Sequence, residues 1–89
     1  MDETLYNQLN RAGAGFLITD LDLGFTFMDI AETSQNDAVI HRNRQNARKI
    51  YDTALHLLSK LRLNDEEQQT IEVKLTRLKQ RLEAFEEEI

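Results

Sequence analysis

Asp20 is the residue most out of place in this chain. On a helical wheel at roughly 100° per residue it falls inside an apolar arc, between Phe27 and Ala31. A carboxylate taken out of water has to be paired or hydrogen-bonded. Three roles are open to it. It is a helix N-cap, an interior polar partner of Tyr51, Arg77 or Arg81, or an acid in a small-ligand pocket. No second carboxylate and no histidine stands at a spacing that would make it half of a catalytic pair, so no residue is assigned to catalysis and no enzyme is expected. His41 and His56 are the only histidines. They are fifteen positions apart on one predicted helix and cannot share a metal ion. Asp22 and Asp29 share a face but lie roughly 10 Å apart along the axis, too far to chelate together. They also lack the loop of a calcium site. The stretch RAGAGF around Gly13 and Gly15 follows no strand and has no lysine, so it matches neither phosphate-binding fingerprint. No metal and no cofactor is expected.

Arg42, Arg44, Arg48 and Lys49 form the one basic cluster. Arg44 sits at the edge of an apolar face, near Tyr51 and Leu55, and is expected to pair inward with Asp29 or Asp22. The others are placed to meet an acidic partner or phosphates. The net charge of −5 argues against a general nucleic-acid binder.

These residues are carried by helices. The chain has no proline and three glycines. From Ala14 to Thr33 the polar residues Thr19, Asp22, Thr26, Asp29 and Thr33 fall in one arc of roughly 80°, and apolar residues fill nearly all the rest. A one-sided surface helix shows an apolar stripe a little over about 100° wide. This one is far wider, so it is predicted to be a central helix covered from several sides. The polar run Thr33 to Asp37 is a turn, with Ser34, Asn36 or Asp37 as the next cap. A second helix follows to about Arg62, its face built from Val39, Ile40, Ala47, Ile50, Tyr51, Ala54, Leu55, Leu57, Leu58 and Leu61. Asn64, followed by Asp65, Glu66 and Glu67, is a strong helix start. Ile71, Leu75, Leu78, Leu82, Phe85 and Ile89 then recur at alternating intervals of four and three, a narrow seam. The acidic run Glu86 to Glu88 opposes the helix dipole and is expected to fray.

Short turns make consecutive helices antiparallel neighbours. The prediction is an all-α, antiparallel three-helix bundle over 14–89, with helices near 16–33, 37–62 and 65–87. Residues 1–13 form a short helical arm, hinged at Gly13 and Gly15. Charge alternates along the chain, −1 over 1–13, −4 over 14–33, +4 over 36–62 and −4 over 64–89, as an antiparallel bundle would use to favour its own pairing. Two neighbours leave about 50° of the first helix's apolar arc uncovered. Either Leu5, Tyr6 and Leu9 fold over it or a second copy does. The chain has no cysteine, so disulfides, zinc fingers and thiol nucleophiles are excluded. Its start is polar and acidic, unlike a signal peptide, and no apolar run approaches a membrane span. A cytoplasmic setting is expected.

Ala47-x3-Tyr51-x2-Ala54-Leu55 resembles the second helix of a tetratricopeptide repeat, and Leu23-Gly24-x2-Phe27 resembles that repeat's first helix. The longer pattern is similar to a microtubule-interacting-and-transport (MIT) domain over residues 15–85. The resemblance implies a three-helix domain in which Gly24 and Ala31 let helices approach closely and Tyr51 wedges between them. It also implies a partner helix in a groove beside the third helix. The functional expectation is a helical protein–protein interaction module, with a structural homodimer or a small-ligand bundle as alternatives.

Overall fold

A computed structural model describes the backbone of residues 3–87 and the side chains of residues 12–85. Three helices make up the chain in the order α1 (Glu3–Thr33), α2 (Asp37–Leu58) and α3 (Asp65–Glu87), with no strand among the described residues. They pack as an all-α three-helix bundle. The turns form as local chemistry dictates. Asn36 caps α2, its side chain accepting from the N–H groups of Ala38 (3.0 Å) and Val39 (3.2 Å). At α3 a reciprocal capping box closes: Glu67 N–H donates to Asn64 Oδ1 at 2.7 Å, and Asn64 N–H donates to Glu67 Oε1 at 3.1 Å. The acidic run Glu86–Glu88 lies outside the described side chains.

Two predicted boundaries move. The first helix does not begin near residue 16 behind a hinged arm; α1 runs unbroken through Gly13 and Gly15. Neither glycine has a positive φ. A glycine inside a helix costs only about 1 kcal/mol relative to alanine, too little to break thirty residues of otherwise helical sequence. Gly13 also serves packing: a Cβ there would lie 2.9 Å from a Leu61 methyl. The second change is that α2 ends at Leu58 rather than Arg62. Ser59 Oγ bonds the His56 carbonyl at 2.8 Å, and Leu61 and Leu63 turn back onto the core.

The core is a seam along α1, Ala14, Leu17, Leu21, Gly24, Met28 and Ala31, closed by Ala47 and Ala54 of α2 and by Ile71, Leu75, Leu78 and Leu82 of α3. Close approach is centred on Gly24. A Cβ there would meet Leu78 Cδ2 at 2.9 Å and Ile50 Cγ2 at 3.3 Å. Asn43 is the buried polar residue of α2, and its amide donates to the Val39 carbonyl at 2.8 Å.

The contacts also fix axial register. Gly13 meets Leu61 and Gly24 meets Ile50, while Lys74 meets Asp22 and Arg81 meets Asp29. By that register the end of α2 and the start of α3 lie alongside Gly13. Positions 3–12 of α1 continue roughly 15 Å beyond both, which fits the molecule's 51 Å length.

Candidate docking face

Ion pairs join α1 to α3. Arg81 Nη2 reaches Asp29 Oδ1 and Glu32 Oε2, each at 2.7 Å, and its guanidinium stands 5.8 Å over the Phe25 ring. The Glu32 hydrogen bond chiefly, and then Asp29, hold the Arg81 pKa above its ordinary value against the lowering from partial burial. Lys74 Nζ meets Asp22 Oδ1 at 2.6 Å. Thr26 and Thr33 bond back to the carbonyls of Asp22 and Asp29. The Thr/Asp arc of α1 is therefore partly an electrostatic seam with α3, not simply a solvent face.

The opposite side of α1 is uncovered and apolar. Ile18, Phe25 and Glu32 form the line nearest α3. Phe16, Leu23 and Ile30 lie roughly 160° around the helix from it. These three are 61%, 45% and 40% exposed. Half-buried Phe27 joins them, giving a 7-4-3 progression from Phe16 to Ile30. On α2 the same face is bordered by Val39, Asn46, Ile50 and Leu57, all half-buried. Single exposed apolar residues are ordinary, whereas large ones aligned in a row are the feature of this surface that calls for an account.

The sequence-derived candidates divide between this face and its reverse. Asp20 is half-buried in mid-helix, in line with Phe16, Leu23 and Phe27, so it is not an N-cap. Its proposed partners are placed elsewhere: Arg81 serves Asp29 and Glu32, and Arg77 is on the outer side of α3. Tyr51 faces α3, lining a groove of about 620 Å³ with Leu55, Leu58, Leu75 and Lys79. Arg44 does not pair with Asp29 or Asp22, whose partners come from α3. It stacks over the Phe85 ring at 5.1 Å. Arg44 and Arg48 line the continuation of the Tyr51 groove beside Leu82. Arg42 and Lys49 are exposed on the other side of α2, at the rim of the α1 face. The basic cluster is thus two pairs pointing to different surfaces. Within and beside the groove, charges answer one another along their own helices, Arg48 with Asp52 at 3.4 Å and Lys79 with Glu83 at 3.9 Å.

Sequence reasoning gave no identity to the Phe16–Leu23–Ile30 line, although its signal was present as a seven-residue repeat inside the wide apolar arc. Among the described residues no three His, Asp or Glu side chains gather as a metal site, and no helix is long and apolar enough to cross a membrane. Comparison with protein-family models, with curated proteins and with solved structures finds no match to this chain.

Proposed function

We propose that this chain is a non-enzymatic helical interaction module whose docking face is the outer line of α1. The observation that carries the reading is the alignment of Phe16, Leu23 and Ile30, large, exposed and in one row on the side away from α3. A partner helix laid along that row buries anchors at helical spacing, the helix-in-groove mode of recognition. Arg42 and Lys49 give the row a basic rim on the α2 side, which favours a partner with acid at its flank. The small-ligand reading has less behind it, because the groove of about 620 Å³ opens between α2 and α3, away from Asp20.

A photo-crosslinking side chain placed at Leu23 in living cells tests the reading, with the same group at Arg77 on α3 as the control. An adduct is expected at 23 and not at 77. Equal or absent labelling at 23 would sink it. In the same assay Phe16→Glu should abolish the Leu23 adduct, while Arg42→Glu with Lys49→Glu should weaken it.

A further inference from the structure

We propose that the cleft between α2 and α3 holds a second site, independent of the α1 row, which takes a phosphoryl oxyanion between Arg48 and Lys79. Gly24 lies against both Ile50 and Leu78, which sets Arg48 and Lys79 at nearly the same height on neighbouring helices. Together with Tyr51, Leu82 and Glu83 they line a small cavity of about 70 Å³. A second cavity of about 150 Å³ shares the Arg48 and Leu82 walls and brings in His41, Arg44 and Gln45. In a chain of net charge −5, three cations from two helices thus gather around buried Leu82. Arg44 and Arg48 stand one turn apart on α2, a spacing at which like charges destabilise a helix. An anion seated between the cations removes that cost.

The dimensions and the donors select the anion. A water-sized group occupies about 10–15 Å³ of cavity, so the smaller space has room for one phosphoryl group and the larger for a second. The donors come from opposite walls of the cleft. That suits a tetrahedral oxyanion, whose oxygens point in several directions, better than a flat carboxylate. Arginine supplies a planar fork and lysine a mobile point charge, and both are phosphate ligands. The Arg44 guanidinium is held in place, stacked 5.1 Å over the Phe85 ring.

The cations of the smaller cavity can turn to such a ligand cheaply. Arg48 reaches Asp52 at 3.4 Å and Lys79 reaches Glu83 at 3.9 Å, each one turn along its own helix, with all four side chains more than half exposed. Exposed pairs of this kind contribute little, so exchanging a carboxylate for a more highly charged oxyanion is favourable. Glu83, itself on the cavity wall, is the group that opposes the anion. Once bound, the anion ties α2 to α3 at the end of the wide groove that runs from Tyr51 to Leu58.

Inorganic pyrophosphate titrated into the full chain at physiological ionic strength, followed by amide chemical shifts, tests the proposal. Saturable binding is expected, with shifts centred on residues 44–51 and 79–83. Arg48→Gln with Lys79→Gln should weaken it about tenfold or more, the loss of two charge-assisted bonds. Lys60→Gln with Arg77→Gln removes the same charge from exposed positions elsewhere and should change the affinity about twofold or less. Glu83→Gln should tighten binding. Equal weakening by the two double variants, or succinate binding as tightly as pyrophosphate, overturns the site, because net charge alone then accounts for it. Absence of saturation at millimolar pyrophosphate in the folded wild type overturns it as well. Adenosine diphosphate distinguishes the source of the anion: an affinity no higher than that of pyrophosphate assigns the free anion, and a higher one assigns a diphosphate group on a larger molecule that extends along the Tyr51 groove.

Discussion

Adding one methyl at Gly24 and one at Gly15 should have opposite consequences. Each is a glycine inside α1, and glycine-to-alanine in a helix is worth about 0.8–1.0 kcal/mol from backbone entropy alone. At Gly15 nothing lies within 4 Å of the new Cβ, so Gly15→Ala should keep that gain. At Gly24 the methyl meets Leu78 Cδ2 at 2.9 Å and Ile50 Cγ2 at 3.3 Å. Leu78 is fully buried among core side chains, and Ile50 is β-branched and stiff. Overpacking of this kind costs about 1–3 kcal/mol. Gly24→Ala should therefore fall about 1–3 kcal/mol below Gly15→Ala, since the helix term is common to both. In a domain of this size about 1 kcal/mol moves Tm by about 4–8 °C. Thermal melts at one fixed protein concentration read the difference directly. Equal stabilisation by the two alanines would refute the close approach of the three helices at Gly24.

Other outcomes follow from named contacts. Leu78→Ala removes a fully buried side chain and should lower stability by about 2–5 kcal/mol in a urea titration, with m unchanged. Asn64→Ala deletes the capping box of α3 and should cost about 1 kcal/mol, whereas Asn64→Gly should cost only a few tenths. Arg81→Met keeps the stem against Phe25 but loses both carboxylates; because Asp29 and Glu32 are well exposed, the loss should be about 1 kcal/mol or less and should shrink in molar salt.

Much of the fold was legible because it rests on strong local signals. The α3 seam is a clean alternation of fours and threes, and Asn64 with Glu67 spells out a cap that forms as read. The errors share a cause, which is that local signals are weak beside packing. Two glycines suggested a hinge, but their combined penalty is about 2 kcal/mol and Gly13 is held against Leu61. Leu61 continued the apolar stripe of α2, yet the chain had already turned at Ser59, and the residue reaches the core from a loop. The least legible part was the proposed docking face. A wheel shows which residues of α1 are apolar but not from which direction α3 arrives. Asp22 and Asp29 are expected from the sequence to meet Arg44 of α2, and they are where Lys74 and Arg81 attach α3. That choice turns Phe16, Leu23 and Ile30 outward. For the same reason Arg42 and Lys49 could not be separated from Arg44 and Arg48 by sequence alone.

The most direct measurement is photo-crosslinking in living cells from Phe16, Leu23 and Ile30 in turn, the exposed row of α1, with Thr76 and Arg77 on α3 as controls. The account predicts the same adduct from all three positions of the row and none from α3. Absence of an adduct from the row, or equal capture from Thr76 and Arg77, would contradict it.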